Sequence, residues 1–399
     1  MIDIEEAWRR IAEHARPLPT EIRPLRDAVG RIAAEPVRSP IDLPGFDRSA
    51  MDGYAVRAQD TAGPLTVVGA VAAGQDAAGL RLGAGHAAQI TTGAALPGGA
   101  DAILRAEDAF DAGDGRIRAE RPLETGESVR FRGEDVQAGD ALLEAGHPLS
   151  VGRLASLAAA GVTGVTVRRA ARVHLLTTGD ELVPAGAELG PGQIHDSNGP
   201  VLSALLRRAG AEVIDHGAAP DRADEIATRV RAGLTGADVL LISGGVSIGE
   251  HDHVKAVLDA EGVEELFWRV RLKPGKPLFC GRCEGTLVFG LPGNPLSVVV
   301  CFLAFVEPFL RRLHGDPDAE LDLQPGRLAP GAAAGPGDSR TTFLTARLSR
   351  APDGVLEATP TERQGSHMTG ALGEADGFLV ARHDSGTLSP GDPVELLVL

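Results

Sequence analysis

Apolar positions change period several times along the chain, and each change predicts a different kind of element. Ile4, Ala7, Trp8, Ile11 and Ala15 recur at helical spacing, which predicts an amphipathic helix over residues 1–16, ended by Pro17 and Pro19. LRDAVGRIAAE (25–35) predicts a second short helix. Residues 66–137 carry short alternating runs such as LTVVGAV, AAQITTGAAL and RIRAERPL, separated by turns, and these predict a small β domain. Helical character returns at LSVGRLASLAAAG (149–161), so the β domain reads as inserted into a helical one. From Arg172 strand-like and helix-like runs alternate: RVHLL, a helix from Asn198 stopped by Gly210, EVIDHG, a helix capped by Asp221, VLLI (239–242), a helix from His253, LFWRVRL, a hairpin, and a long apolar helix after LPGNP. Such alternation predicts a mostly parallel sheet with crossover helices. After His314 the runs GRLAP, TTFLTARL, GFLVAR and DPVELLVL predict a C-terminal barrel or sandwich.

Composition narrows the class. With 43% hydrophobic and 24% charged residues the chain reads as globular, and with 4% aromatics its cores must rest on Leu, Val, Ile and Ala. Thirty-nine basic against 55 acidic residues leave a net charge of −16, which argues against a nucleic-acid partner. No apolar run reaches the roughly 18 residues of a membrane span. The first residues are charged and helical rather than signal-like, so the expected compartment is the cytoplasm. Cys280 and Cys283 form a CxxC, but GRCEG reads as a hairpin turn and the third cysteine, Cys301, falls in an apolar helix.

The candidate chemistry gathers at the ends of the predicted parallel strands. TTGDEL brings Asp180 and Glu181, APDRAD brings Asp221, and SGGVSIGEHD (243–252) brings Glu250 and Asp252. In an open α/β sheet these loops share one edge. Carboxylates beside a phosphate need a hard cation between them, and Mg²⁺ suits that role. Lys273 and Lys276 of KPGKP add compact positive charge, and Gly244, Gly245 and Gly293 let backbone N–H groups approach an anion. Acids, a cation and lysines around a phosphorylated ligand fit phosphoryl or nucleotidyl chemistry. The chain holds no P-loop, no G-x-G-x-x-G fingerprint and no serine-hydrolase motif. His251 and His253 flank Asp252, at the start of a predicted helix where they would not share a face. Asp42, Asp47 and Asp52 by themselves read as capping residues of a solvated turn.

The motifs PGFDRSAMDGYAVR (44–57), ITTGAALPGGADAIL (90–104), RFRGEDV (130–136), TTGDEL (177–182), SGGVSIGEHD, KPGKP, LPGNPLS (291–297) and RQGSHM (363–368) together resemble the MoeA-type molybdopterin molybdenumtransferases, the family of the gephyrin E domain. The resemblance implies a multidomain α/β plus β fold. Its parts are a discontinuous helical elongated domain (1–45 and 139–169), an inserted small β domain (46–138), a molybdopterin-binding α/β domain (170–316) and a C-terminal β-barrel (317–399). It implies a homodimer with the active site shared between subunits, and insertion of molybdate into adenylylated molybdopterin with Mg²⁺-dependent release of AMP. Carried over by position, Asp221 and Asp252 are the metal-linked acids and Glu181 positions the ligand. Asp52, Thr92, Arg130 and Asp135 complete the partner's site. Lys273, Lys276, Ser297, Arg340 and Ser366 form the molybdate pocket, and Ser247, Pro292 and Asn294 belong to the same ligand loops. A separate adenylyltransferase would supply the substrate, and molybdoenzymes would accept the product. The competing readings are a related nucleotide pyrophosphate hydrolase and a non-catalytic scaffold like the gephyrin E domain.

Overall fold

The computed structural model describes residues 1–246, 253–335 and 338–399. Contacts divide it into two compact units, one of residues 22–29 and 35–165, the other of residues 1–21, 30–34 and 166–399. The second begins with α1 (Ile4–Ala12), shorter than the 16 residues its periodicity spans, and buries Ala7 and Ile11. LRDAVGRIAAE does not form the expected helix. Only Leu25–Asp27 make a 3₁₀ turn, and Gly30 then takes φ +80°, a left-handed conformation that stops helical propagation.

The first unit is organised by one sheet. Its strands are β1 (Gly53–Val56), β2 (Leu65–Val71), β3 (His86–Ile90), β4 (Ala102–Arg105), β5 (Ala109–Gly113) and β6 (Arg116–Ala119), in the order β4-β1-β3-β2-β6-β5. Small residues fill it: Ala55, Ala88 and Ala94 pack with Ile90 and Ile103 on one side, Ala87 and Ala102 with Leu65 and Leu104 on the other. Beside it, residues 48–49 pair antiparallel with 129–130, Val129 opposite Ser49 and Arg130 opposite Arg48. That pairing joins the PGFDRS and RFRGED loops, 81 residues apart in sequence between Ser49 and Arg130. Helix α2 (Val151–Ala159) starts at Ser150, whose hydroxyl accepts the Arg153 N–H.

The second unit holds the α/β sheet. Its elements in chain order are β7 (Arg172–Thr178), α3 (Asn198–Arg208), β8 (Glu212–Ala219), α4 (Ala223–Leu234), β9 (Val239–Ser243), α5 (His253–Ala260), β10 (Glu264–Trp268), β11 (Phe279–Cys283), β12 (Thr286–Leu291), α6 (Pro295–Cys301) and α7 (Glu307–Leu313). The strand order is β8-β7-β9-β12-β11-β10. The first four strands are parallel and β11 runs against both its neighbours. Both faces are covered, which is why VLLI reads as an unbroken apolar run. Val239 and Leu241 face the core built with α3, α6 and α7, while Leu240 and Ile242 face the core built with α4 and α5. Helices α6 and α7 are joined by a π-helical turn, Phe302–Val306, just before Pro308, which has no N–H to continue an α-helical ladder. β11 and β12 form the expected hairpin around Cys280 and Cys283. Spaced by three along a strand, the two cysteines alternate to opposite faces. Burial raises the Cys280 thiol far above its usual range. The residue immediately before α4 is Arg222 rather than Asp221, and its side chain makes no cap bond.

His314 follows α7 and accepts the Ala171 N–H at 3.0 Å through Nε2. Burial, with Arg31 and Arg169 adding to it against the opposing Asp238, pushes the imidazole down to about 4. A histidine whose folded pKa lies below its unfolded one stabilises the fold fully above about 6.5, and that contribution is lost as pH falls toward 4. His314→Gln retains an acceptor without a titrating ring. Between pH 6.5 and 4, wild type is expected to lose on the order of 3 kcal/mol more stability than this variant, read from denaturant midpoints at each pH.

The C-terminal strands β13 (Gln324–Leu328), β14 (Thr341–Arg350), β15 (Leu356–Pro360), β16 (Gly377–Ala381) and β17 (Pro393–Val398) close on themselves in the order β14-β15-β13-β17-β16, with β16 pairing back to β14. They form a five-stranded barrel with Leu328, Ala346, Leu379 and Leu396 inside. Residues 272–273 add to its outside, Leu272 opposite Thr341 and Lys273 opposite Thr342 on β14. No helix among the described residues is long and apolar enough to cross a membrane.

Candidate active site

The parallel strands β7, β8, β9 and β12 end at the same edge of the sheet, and there a cleft of about 690 Å³ opens. Glu181 follows β7, Asp221 follows β8, Gly244 and Gly245 follow β9, and Pro292, Gly293 and Asn294 follow β12; all line the cleft. The four loops come together because parallel strands carry their C-terminal ends to one side. Asp252 and Ser247 lie outside the described residues.

The two glycines shape the floor. Gly244 and Gly245 take φ +97° and +63°. A Cβ on Gly244 would stand 2.5 Å from the Thr178 carbonyl oxygen, and one on Gly245 would stand 2.4 Å from Val254. The Gly244 N–H itself donates to the Leu291 carbonyl at 3.1 Å, so what this glycine offers a ligand is its conformation and the close approach it allows. The N-terminus of α6 is also partly closed. Pro295 has no N–H, and the Leu296 N–H donates to the Ser366 carbonyl at 3.1 Å. Asn294 Nδ2 donates to Ser366 Oγ at 2.9 Å, so the QGSH loop is laid across the helix start and brings His367 and Thr369 to the cleft. Ser297 is not a cleft residue: it is 3% exposed, one position further into the helix than Leu296.

Further hydrogen bonds hold the cleft together, through side chains not assigned to the site from sequence. Thr177 Oγ1 donates to Asp196 Oδ2 at 2.8 Å, and the Gly199 N–H donates to Asp196 Oδ1 at 3.0 Å. Asn198 Nδ2 donates to Ser243 Oγ at 3.0 Å and to the Gly293 carbonyl at 2.7 Å, tying the ends of β9 and β12 to the start of α3. HDSN (195–198) reads only as a helix start; its signal was a dense polar run where a single cap would suffice. Thr178 Oγ1, at the end of β7, is buried without a hydrogen-bond partner among the described residues.

The cleft donors are carboxylates, the hard-oxygen type that Mg²⁺ prefers, and Mg²⁺ commonly takes only one or two of them beside phosphate oxygens and water. Glu181 and Asp221 fit that chemistry. Among the described residues no group of three or more His, Cys, Asp or Glu side chains is gathered to hold a metal alone.

The lysine loop leads elsewhere. Pro277 lines the cleft, Lys276 is exposed, and Lys273 sits beside β14 with its Nζ 3.7 Å from Asp338 Oδ2. Arg340 binds the same carboxylate through Nε at 3.0 Å and Nη2 at 2.6 Å. The Arg340 guanidinium holds the Asp338 carboxyl down to about 2, with Lys273 assisting.

In the other unit the assigned residues fall into two groups. Asp52 Oδ1 accepts both the N–H and the hydroxyl of Thr92, at 2.6 and 2.9 Å, and these donors hold its carboxyl below the usual range. Arg130 and Asp135 line a separate cleft of about 800 Å³ with Glu134 and the PGF turn, Arg130 lying 3.5 Å from Glu134.

Comparison with known proteins gives this geometry a family. Three family profiles match in succession: the MoeA N-terminal region (domain I and II) over residues 2–161, a probable molybdopterin binding domain over 174–312, and the MoeA C-terminal region (domain IV) over 331–399. The molybdopterin molybdenumtransferase of Haemophilus influenzae is 36% identical over 404 residues, covering 99% of this chain and 98% of its own. The chain belongs to the MoeA family. The Bacillus subtilis molybdopterin molybdenumtransferase is 32% identical, over 100% of this chain and 94% of its own. Two crystal structures of the molybdopterin biosynthesis MoeA protein of Pyrococcus horikoshii superpose with a TM-score of 0.83 each. They are 34% and 28% identical, cover all of this chain, and are themselves covered to 99% and 100%. The α/β sheet and the closed five-stranded barrel are thus those of a MoeA-like multidomain fold.

Proposed function

We propose that this chain inserts molybdate into molybdopterin, taking the adenylylated form and releasing AMP with Mg²⁺. The observation that carries the reading is the sheet-edge cleft, where Glu181 and Asp221 stand over a glycine floor in a chain related along its whole length to molybdopterin molybdenumtransferases. Glu181 orients the ligand. Asp221, together with Asp252, would hold Mg²⁺, and the cation would supply charge neutralisation to the phosphorylated ligand. Gly244 and Gly245 let the ligand lie against the strand ends, and Asn198 keeps the two loops beneath it in register. Lys273, Lys276, Arg340 and Ser366 form the oxyanion side, since a tetrahedral dianion is held by fixed cations and hydroxyl donors.

The proposal includes four domains with the boundaries read from the sequence, a homodimer in the cytoplasm, and a site completed by Asp52, Thr92, Arg130 and Asp135 of the other subunit. An adenylyltransferase supplies the substrate and molybdoenzymes receive the product. Purified protein incubated with adenylylated molybdopterin, Mg²⁺ and molybdate should release AMP and yield cofactor that activates an apo-molybdoenzyme. Absence of both products overturns the reading. The shared site has its own test: Asp52→Ala and Asp221→Asn, each inactive alone, should regain activity when their subunits are mixed, and no recovery would limit each site to one subunit.

A further inference from the structure

Two of the three cations assigned to the oxyanion side, Lys273 and Arg340, are not free. Lys273 and Arg340 both face Asp338, and the hydrogen bonds are those an incoming oxyanion would need. Arg340 presents Nε and Nη2 as a fork to the two carboxylate oxygens, at 3.0 and 2.6 Å, while Lys273 Nζ stands 3.7 Å from Oδ2. The Arg340 backbone N–H adds a third donor to Oδ1 at 3.0 Å. The parallel pairing of residues 272–273 with the start of β14 brings the lysine to the carboxylate across more than 60 residues of chain. The side chains remain a quarter to two-fifths exposed, so solvent and a small anion can reach them.

We infer that Asp338 is a resident counter-anion: its carboxylate occupies the donor fork of Arg340 and the ammonium of Lys273, and an oxyanion substrate binds by displacing it. The inference rests on the proposed oxyanion role of Lys273 and Arg340 and adds what regulates that site. With Asp338 in place the competent, vacated form of the fork is a minor population, and apparent affinity is reduced by that fraction. Held down to about 2, the carboxyl stays ionised throughout the range in which proteins work, so it is displaced by anions and not by protons. The device fits a loading step, because it keeps chloride and metabolite carboxylates from settling on two closely placed cations.

Asp338→Asn keeps the size of the side chain and removes the charge that grips the fork. Because the pair is partly exposed and screened, the expected gain is about five- to tenfold in affinity. The experiment measures dissociation constants for molybdate, a dianion, and perrhenate, a monoanion of similar tetrahedral shape, by calorimetry on the full chain. Displacement removes the same occupied fraction for either anion, so both should tighten by the same factor, and Asp338→Ser should reproduce it. A bare change in local field would instead act about twice as strongly, in logarithmic terms, on the doubly charged ion. Molybdate tightening by about the square of the perrhenate factor, or no change in either, overturns the inference while leaving the oxyanion pocket standing. If neither wild type nor variant binds either anion, the pocket reading itself fails and the inference falls with it.

Discussion

Asp221→Asn is expected to lower AMP release about a hundredfold or more. The residue stands at the open end of β8 and lines the cleft, and its backbone N–H donates to Asp180 Oδ1 at 3.0 Å. That backbone contact is indifferent to the substitution, and the amide has the shape of the carboxylate it replaces. What is lost is one negative charge in the cleft proposed to take the phosphorylated ligand. A hard divalent cation binds oxygen donors largely by charge, so an amide in that position is a much poorer ligand. The variant should therefore need far more Mg²⁺ to reach half of its own maximal rate, a shift that a merely structural role would not produce. Unaltered turnover and an unaltered Mg²⁺ requirement would remove Asp221 from the mechanism.

Gly244→Ala should be among the most damaging single substitutions in the α/β sheet. At φ +97° an alanine pays a left-handed penalty of about 1–2 kcal/mol. Its Cβ would also lie 2.5 Å from the Thr178 carbonyl and 2.9 Å from the Thr178 hydroxyl, against a strand that cannot retreat because β8 and β9 flank it. Overpacking of that kind costs a further ~1–3 kcal/mol, so the total expected loss is about 2–5 kcal/mol. Gly262→Ala is the matched control, with φ +81° and nothing within 4 Å of the added carbon. It should cost only the conformational part, about 1–2 kcal/mol. Denaturant unfolding of both variants separates the two contributions. Equal losses would mean that the turn at Gly244 relaxes freely, and the rigid-floor account of the cleft would fail.

The α/β sheet was legible because its residues obey local rules that its tertiary structure also obeys. VLLI announced a strand covered on both faces, Asn198 and Gly210 marked a helix, and GRCEG closed a hairpin. LRDAVGRIAAE misled because three buried residues, Leu25, Ala28 and Ala33, mimic a helical face, while Gly30 between them takes the one conformation that ends it. Among the site residues, Glu181, Asp221 and the two glycine loops could be found because strand ends of a parallel sheet converge by topology alone. Asp196, Asn198 and Ser243 were missed because their importance lies in whom they bond, and partners 19 residues from Asp196 and 45 and 95 residues from Asn198 leave no local trace.

What the sequence determined by itself was the order of elements, the parallel sheet, the edge at which its loops gather, and the family, since periodicity and turn chemistry are properties of neighbouring residues. Only the tertiary structure decided which donors remain available at that edge. The Gly244 N–H goes to Leu291, the α6 start lies beneath Ser366, and Lys273 with Arg340 holds Asp338. Each is a hydrogen bond or ion pair between side chains and backbone brought together by folding, and a donor already engaged looks the same in a sequence as one that is free.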